Sequence, residues 1–386
     1  MLPTIWMRRL RLVTGLVLMA FVTSHLGLLA MGIASLHQID VWYPYFMEPW
    51  EGRVGETLLC FSAFVHLVLG LQSIAARRTL AMSRTDAVQL FLALLVPPLL
   101  IGHVLTLRIT GELTSGFEAG YEFILSVYWS FAPLYAIQQL LALIVIWAHA
   151  AIGFYGFMVL RPIWKRIGGL VTPVLFAVPI LSLLGFAQGG KETVDRLAAD
   201  PAFRQGIEAS WQRVGEVADR LMRIETIFLS IYFAAAGLAI GFFLFRFLLR
   251  SRATVHVAYD GGAVATGPKG LSILELSRTN DIPHASVCSG RGRCGTCRVE
   301  IVAGAERLSP AVAIETRTLA MVRAGPGVRL ACQALVLGEG VSVVRVLPPF
   351  ADASAAREPQ EWVTEPAPVV AAPAGLDTET VPEAAS

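Results

Sequence analysis

Four of the five cysteines in this chain lie in its last third, at a spacing that suits a metal cluster. Cys288, Cys294 and Cys297 are separated by five and by two residues, and Cys332 follows 35 residues after Cys297. A [2Fe-2S] cluster takes four thiolate ligands, and a glycine-rich loop can wrap around it to supply three of them. Zinc sites made of four cysteines usually come as two separated pairs. The spacing therefore favours a [2Fe-2S] cluster over zinc, with these four cysteines as its ligands.

Four histidines lie inside long apolar stretches: His25, His66, His103 and His149. A titratable side chain within a membrane is costly, which makes a function the default hypothesis. The alternative is four unrelated histidines that each bond a neighbouring helix. By the helix rise, His66 and His149 each lie about 18 Å from the arginine that follows their stretch. His25 and His103 lie about 21–28 Å from the arginines that precede theirs.

Histidines at equal depth on facing helices indicate a metal between them. The second and fourth stretches share one level, and the first and third share another. In an up-down-up-down bundle these are the diagonal pairs, which face each other across the core. We predict two b-type haems, one held by His66 and His149 and the other by His25 and His103; one haem or none are the alternatives. The Pro97-Pro98 pair is expected to kink the third stretch and make room for a macrocycle.

The composition indicates an integral membrane protein. Of 386 residues, 55% are hydrophobic and 16% charged, against roughly 45–50% and 25% in soluble proteins. The first apolar stretch is too long for a cleaved signal peptide and lacks a small-residue cleavage site. Cys60, in the second, is expected to be a small buried apolar residue. Six segments have the length of about 20 residues that a membrane span needs: 12–35, 55–76, 87–107, 132–160, 168–187 and 225–249.

Basic residues concentrate in the connections on one side of these spans. They occur at Arg8–Arg11, Arg77–Arg84, Arg161–Arg166 and Arg246–Arg252, whereas the first two connections on the other side are mainly acidic. The positive-inside rule then predicts a multi-pass protein of the bacterial inner membrane with both termini in the cytosol. The connection 188–224 is longer, of mixed charge and expected to be helical, and it is the weakest part of this topology.

After residue 252 the pattern changes to that of a small mixed domain. A strand, a glycine turn and a second strand are predicted at Thr254–Tyr259 and Ala263–Thr266, followed by a helix at Leu271–Ser277. Two later strands are predicted at Arg298–Val302 and Val341–Leu347. The domain is expected to end near residue 349. Residues 350–386 are rich in alanine, proline and acids and cannot bury a core, so the sequence predicts a disordered tail there.

The cysteine spacing, the hairpin and helix before it and the segment Arg329–Gln333 resemble the [2Fe-2S] ferredoxins of β-grasp fold. The resemblance covers about residues 253–348, and the five-residue gap is nearer to the adrenodoxin-like and membrane-reductase ferredoxins than to the plant type. Together with the six predicted spans, it gives the expected fold class: an all-α six-helix transmembrane bundle followed by an α+β β-grasp [2Fe-2S] ferredoxin domain. The expected units are a haem-binding anchor at 1–252, the ferredoxin domain at 253–349 and the tail at 350–386.

The histidine pattern is similar to the dihaem cytochrome b anchors of succinate dehydrogenase and fumarate reductase. With the cysteine loop attached, the segments around the four histidines resemble the N-terminal half of certain bacterial class III adenylate cyclases. In those proteins a six-helix haem-binding anchor is followed by a [2Fe-2S] ferredoxin and then a cyclase domain. The residues after Pro349 are too few for a cyclase and lack its paired metal-binding aspartates, so cyclase activity is not expected.

These patterns predict a membrane-bound electron-transfer or redox-sensing protein without turnover chemistry of its own. Electrons would pass between the [2Fe-2S] cluster, the two haems and the quinone pool. One alternative is a regulatory redox sensor for a separate adenylate cyclase or other effector; another is a haem-free, membrane-anchored ferredoxin. The expected partners are membrane lipid, quinone and a cytosolic redox partner or effector. A net charge of +2 gives no argument for a nucleic-acid partner.

Overall fold

The computed structural model describes residues 4–114, 117, 120–249 and 253–351. Of the tail predicted to be disordered, only residues 350 and 351 fall within this range, and Arg250 and Arg252 of the basic pattern also lie outside it. The described residues form an apolar helical part up to Leu249 and a mixed sheet domain from Ala253 onward.

Within the described residues, six helices are long and apolar enough to cross a membrane, and each predicted span overlaps one of them. They are α1, α4, α5, α8, α9 and α10. Basic residues occur at alternate helix ends along the chain, and they therefore gather at one end of the bundle. That end is called the arginine-rich end here, and the opposite end is called the far end. The helices are α1 (Thr4–Met31), α2 (Leu36–Phe46), α3 (Glu48–Glu51), α4 (Arg53–Ala75), α5 (Arg84–Val104), α6 (Thr110–Leu113), α7 (Tyr121–Ser126), α8 (Pro133–Met158), α9 (Trp164–Ala199) and α10 (Pro201–Leu248), with π-helical turns at Leu105–Ile109 and Val127–Phe131.

The long helices pack mainly in two groups. Helix α1 packs on α4 and α9, α5 packs on α8, and α10 lies against α4 and α5. Small residues allow the closest of these approaches: a Cβ at Gly185 of α9 would overlap the carbonyl oxygen of Leu29 in α1. Beside it, the Ser182 hydroxyl donates to the Leu26 carbonyl at 2.7 Å. Close backbone contact and interhelical hydrogen bonds are the interactions that hold helices together in lipid.

Prolines inside these helices free backbone carbonyls, and side chains from neighbouring helices bond two of them. Proline has no N–H, so the carbonyl four residues earlier loses its partner. Upstream of Pro98 that carbonyl belongs to Leu94, and the Tyr232 hydroxyl of α10 donates to it at 2.7 Å. Upstream of Pro179 it belongs to Leu175, and the indole N–H of Trp147 donates to it at 2.7 Å. Burying an unbonded carbonyl in hydrocarbon costs several kcal/mol, so these two contacts let α5 and α9 keep their prolines.

At the far end, α9 and α10 run well beyond the other helices. They contain 36 and 48 residues, or about 54 and 72 Å by the helix rise, whereas about 30 Å crosses the hydrocarbon core. The predicted connection 188–224 is helical apart from a break at Asp200, whose carboxylate caps α10. The extensions and the short segments before α8 bury one apolar cluster, formed by Leu105, Phe117, Phe123, Val127, Leu197, Ile207, Val214, Val217 and Leu221.

In residues 253–351 a sheet of five strands has the order β2-β1-β5-β3-β4. Strand β1 pairs antiparallel with β2 and parallel with β5, which agrees with the expected β-grasp arrangement. Alternate residues of β1 are buried against α11, whose first turn is closed by a capping box between Ser272 and Glu275. The elements are β1 (Thr254–Tyr259), β2 (Val264–Pro268), α11 (Ile273–Thr279), β3 (Arg298–Ala303), a 3₁₀ turn (Ala305–Arg307), α12 (Ala313–Met321), β4 (Val328–Leu330) and β5 (Val341–Arg345).

Two elements and one side chain differ from the sequence predictions. Helix α12 and strand β4 lie between the predicted strands and were not expected, because β4 has three residues and α12 lacks a continuous apolar face. Cys60 was expected to be buried, but it lies exposed on the outer surface of α4. The apolar surface of a membrane helix that faces lipid looks, in sequence, like one that faces another helix.

Candidate metal centres

The three-cysteine loop follows a backbone path that depends on glycine. Gly290, Gly292 and Gly295 have φ values of 87°, 69° and 69°, in the left-handed region that disfavours other residues. At Gly295 a Cβ would also lie 2.7 Å from a methyl group of Val322. The loop can therefore curl tightly enough to turn several of its side chains and N–H groups inward.

The four cysteines come together as two pairs. Cys288 lies within hydrogen-bonding distance of Cys294, and Cys297 within the same reach of Cys332. All four are buried, with exposures between 0% and 8%. Among the described residues no three His, Cys, Asp or Glu side chains converge on one point as a single ion would require. Two pairs of thiolates suit a cluster of two irons, whereas a structural zinc takes four ligands around one ion.

Polar groups around Cys288 favour its thiolate form, whereas the hydrogen bond to a neighbouring cysteine and burial raise the pKa of Cys294 and of Cys297. Hydrogen bonds from Cys294 and from the backbone N–H groups of Arg293, Cys294 and Arg291 hold the pKa of Cys288 well below its ordinary value. The Thr296 hydroxyl lies 3.1 Å from the Cys294 sulfur. Hydrogen bonds to cluster sulfurs are among the factors that set the reduction potential of an iron–sulfur centre.

Helix α12 fixes both halves of this site, and sequence reasoning missed its role. Glu315 is fully buried; its carboxylate accepts from Arg329 at 2.7 Å and from the backbone N–H of Leu330 at 2.9 Å. The Thr318 hydroxyl donates to the carbonyl of Gly292 at 2.6 Å. The only signal for these contacts in the sequence is the charge of Arg329, which needs an acidic partner if it is to stay buried near Cys332.

The four histidines also form two pairs, in the predicted combination. The ring centres of His25 and His103 are 6.0 Å apart, and those of His66 and His149 are 6.3 Å apart. Two metal–nitrogen bonds of about 2 Å to one ion, plus an offset of about 1 Å from nitrogen to ring centre on each side, give about 6 Å. One pair joins α1 to α5, and the other joins α4 to α8. Neither of these two helix pairs is among the main packing contacts of the bundle, so the histidines meet across it.

Each histidine ring is oriented through Nδ1, by a backbone carbonyl in the His66–His149 pair, here called the inner pair, and by a tyrosine hydroxyl in the His25–His103 pair, here called the outer pair. Metal-binding histidines are commonly held in this way, which leaves Nε2 as the ligand. The rings therefore fit two-histidine haem sites. The Nδ1 contacts are His66 to the Arg11 carbonyl at 3.1 Å, His149 to the Gln89 carbonyl at 3.1 Å, His103 to the Tyr128 hydroxyl at 3.3 Å and His25 to the Tyr121 hydroxyl at 3.5 Å.

The His66–His149 pair lies close to the arginine-rich end. His66 contacts the backbone of Arg11, and a Cβ at Gly15 would lie 2.9 Å from its ring. Counting residues from Arg78 had suggested a greater depth, because Arg78 lies beyond the end of α4 in an irregular segment. The tyrosines beside the outer pair come from α7 and the π-helical turn after it, so the far-end segments position them.

The cysteine loop is docked on the arginine-rich end. The Arg8 guanidinium donates to the Arg291 carbonyl at 3.0 Å, and the Arg291 side chain pairs with Asp86 of α5 at 3.2 Å. The hydroxyls of Ser83 and Ser289 are 3.4 Å apart. Leu160, just after α8, packs in one apolar cluster with Cys288 and Cys294. The cysteine site and the His66–His149 pair thus lie at the same end of the bundle.

The remaining histidine near the cysteines has a structural environment. His284 is bonded at 3.0 Å to Ser277, whose hydroxyl also meets that of Tyr259 at 2.5 Å. Burial lowers the pKa of His284 to about 4. His256 is bonded to Thr266 across the first hairpin. Both histidines thus make contacts within the sheet domain.

Comparison with known proteins identifies the sheet domain. Residues 258–337 match the family model of the 2Fe-2S iron-sulfur cluster binding domain. The chain is 39% identical over 74 residues to 2Fe-2S ferredoxin-5 of Aquifex aeolicus, which covers 77% of that protein and 19% of this chain. It is 34% identical over 83 residues to chlorosome protein I of Chlorobaculum tepidum, covering 33% of that protein and 22% of this chain. No solved structure matches this chain. Through its C-terminal domain, this chain belongs to the family of [2Fe-2S] ferredoxins.

Proposed function

We propose that this chain is a membrane-bound electron-transfer protein that links its [2Fe-2S] cluster, through two b-type haems, to the quinone pool. Residues 1–252 form the haem-binding anchor, 253–349 the ferredoxin domain and 350–386 a tail. The bundle crosses a bacterial inner membrane with the arginine-rich end and both termini in the cytosol. The observation that carries the proposal is the docking of the cysteine loop on the bundle beside His66.

The cysteines divide the cluster between them: Cys288 and Cys294 bind one iron, and Cys297 and Cys332 bind the other. When bound, the cluster supplies a centre that gains or loses one electron. The chain keeps the four sulfurs buried, aims N–H groups at them and holds the loop against the anchor. Support comes from the pairing of the sulfurs and from the identity of the ferredoxin domain.

The histidines hold the two haems: His66 and His149 the inner one, His25 and His103 the outer one. Bound haem iron supplies a further one-electron centre at each level. The chain orients each ring through Nδ1 and leaves Nε2 as the ligand. Support comes from ring separations of 6.0 and 6.3 Å, which suit one iron between each pair.

Quinone exchange is proposed at the far end, beside the outer pair. A quinol gives up protons together with its electrons, so its site needs nearby proton acceptors. Tyr121 contacts His25, the ring of Tyr121 lies 6.3 Å from that of Tyr43, and the Tyr43 hydroxyl donates to Glu51. Glu51 in turn lies 3.5 Å from Arg108. These groups place a carboxylate that can accept protons near the outer pair.

The first experiment asks which cofactors are bound. The purified full-length protein should contain two irons and two acid-labile sulfides per chain in addition to haem iron. Cys294→Ser should remove the paramagnetic signal of the reduced cluster and leave the haem spectrum unchanged. Cys60→Ser, on the lipid-facing side of α4, is the matched control and should keep both signals. Stoichiometric zinc in place of the two irons would contradict the cluster assignment.

The second experiment follows the electrons. Quinol added to the reconstituted protein should reduce the haems and equilibrate with the cluster. Asp86→Asn removes the ion pair to Arg291, so it should slow the exchange with the cluster without slowing the reduction of haem by quinol. If quinol reduces neither centre, the link to the quinone pool is wrong.

A redox-sensing role for a separate adenylate cyclase or other effector uses the same centres and differs in output. A relay sustains continuous electron flow from quinol to a soluble acceptor, whereas a sensor binds its effector in only one redox state. Steady reduction of a soluble acceptor, lost in Cys294→Ser, supports the relay. Redox-dependent retention of an effector without such turnover supports the sensor.

A further inference from the structure

The first helix of the bundle contacts the cluster loop with a charged side chain. The Arg8 guanidinium donates a 3.0 Å hydrogen bond to the carbonyl of Arg291, between Cys288 and Cys294. The same guanidinium lies within electrostatic reach of the sulfurs of Cys332 and Cys288. A positive charge from the membrane anchor therefore faces the cysteines of the ferredoxin domain.

The same helix contacts the inner histidine pair less than two turns further on. The Arg11 carbonyl meets Nδ1 of His66 at 3.1 Å, and the hydroxyl of Thr14 lies 3.3 Å from that nitrogen. Arg8 and Arg11 are three residues apart, about 4.5 Å along the axis. Helix α1 thus touches both centres, as α5 does through Asp86 and the Gln89 carbonyl.

Other charges at the interface are partly balanced. Arg291 itself belongs to the loop, but Asp86 lies 3.2 Å from its guanidinium. Arg78 lies 3.9 Å from Glu275. Arg8 donates instead to a neutral carbonyl, so its charge adds to the field at the sulfurs.

We propose that Arg8 is a tuning residue through which the anchor raises the reduction potential of the ferredoxin cluster. Reduction adds one electron to the four-thiolate centre and makes its charge more negative by one, with no bond formed or broken. A positive charge beside the sulfurs stabilises that reduced form relative to the oxidised form. Arg8 is still exposed to solvent, so screening limits the effect to a modest size. The inference rests on the cluster of the proposed function and does not depend on the haems.

The test is a reductive titration of the full-length protein in detergent at low salt, with dithionite as reductant and the paramagnetic cluster signal as readout. In Arg8→Gln the ratio of reduced to oxidised cluster at a fixed potential should fall about fivefold, or about 40 mV at 59 mV per tenfold change. Arg8→Lys keeps the charge and should restore most of the shift. Arg9→Gln, whose guanidinium lies over Trp6, is the matched control and should leave the potential unchanged.

An unchanged potential in Arg8→Gln, or an equal shift in Arg9→Gln, would overturn the proposal. If Arg8→Gln does not accumulate, the wild-type protein still tests it, because added salt screens Arg8 and should lower the potential. A wild-type potential independent of salt overturns the proposal as well. The electron-transfer function is judged separately: loss of quinol-driven haem reduction with a normal Arg8 effect would reject the relay and leave the tuning role standing.

Discussion

Gly295 lies between two of the cluster cysteines and has a φ of 69°, with a methyl group of Val322 packed over its α-carbon. Gly261, in the turn between β1 and β2, has a φ of 82° but open space around its α-carbon. The two glycines share the backbone conformation and differ in their surroundings. Replacing each of them by alanine therefore separates the free-energy cost of a left-handed backbone from the cost of displacing the cysteine loop.

Gly295→Ala should lower cluster content, because the added methyl group meets Val322 and pushes the backbone away from the sulfurs. Gly261→Ala should cost only the left-handed conformation, about 1–2 kcal/mol, with the cluster retained. The measurements are iron per chain and thermal unfolding of the ferredoxin domain followed by visible circular dichroism. Equal iron loss in both variants would show that backbone strain alone, and not the contact with Val322, determines how much cluster is bound.

The pairing of the histidines predicts which substitutions remove the same haem. His66→Ala and His149→Ala should each remove the same haem and leave the other spectrally intact, and His25→Ala and His103→Ala should form the second matched set. The reason is that, in the proposed function, two histidines would hold each haem, which would be lost when either is removed. Absorption spectra of the four variants, oxidised and reduced, provide the measurement. Joint loss in His25 and His66 variants would reject this pairing.

At the scale of elements, α5 and α9 depend on side chains from their neighbours. Tyr232→Phe removes the hydroxyl that bonds the carbonyl freed by Pro98. We expect it to destabilise the bundle by about 0.6 kcal/mol and by no more than about 1.7 kcal/mol, the mean and the maximum for hydrogen bonds between membrane helices. Unfolding in mixed micelles with increasing dodecyl sulfate measures it. Tyr135→Phe, on an exposed part of α8, should be neutral; a neutral Tyr232→Phe would mean that water bonds the carbonyl instead.

Strongly patterned elements were predictable from the sequence. The six long helices follow from apolar length, and β1 was predicted at its observed bounds because its residues alternate without interruption. The histidine combinations agree with the helix order, since the first and third and the second and fourth helices are diagonal in such a bundle, whereas the depth counted from Arg78 was too great.

Contacts made by tertiary structure were not predictable. Glu315 lies in a helix without a clear pattern, and its partner is 14 residues away. The tyrosines beside His25 and His103 come from a segment with two irregular turns, whose path depends on packing under α9 and α10. The exposed position of Cys60 depends on which face of α4 meets lipid, which an evenly apolar helix does not record.

At the scale of the whole molecule, the orientation of the bundle in the membrane is a prediction. The basic residues at one end of the bundle predict that a reporter fused after Ser386 is cytosolic and that one inserted near Asp200 is periplasmic. An enzyme reporter that is active on only one side of the membrane makes the measurement. As a control, the arginines within Arg8–Arg11 are replaced by glutamine, which should weaken the preference for this orientation. A periplasmic reporter after Ser386 would mean that one of the six helices does not cross.

The placement of the ferredoxin domain in the same chain as its docking surface changes how strong that surface must be. Strand β1 begins six residues after α10 ends, so the domain cannot diffuse away from the arginine-rich end. A short connection of this kind gives an effective concentration on the order of millimolar. One ion pair and a few hydrogen bonds, which would bind a free partner weakly, are then enough to keep the loop seated most of the time. Electron transfer at this interface should therefore be independent of protein concentration, unlike that of a soluble ferredoxin that must find its acceptor by collision.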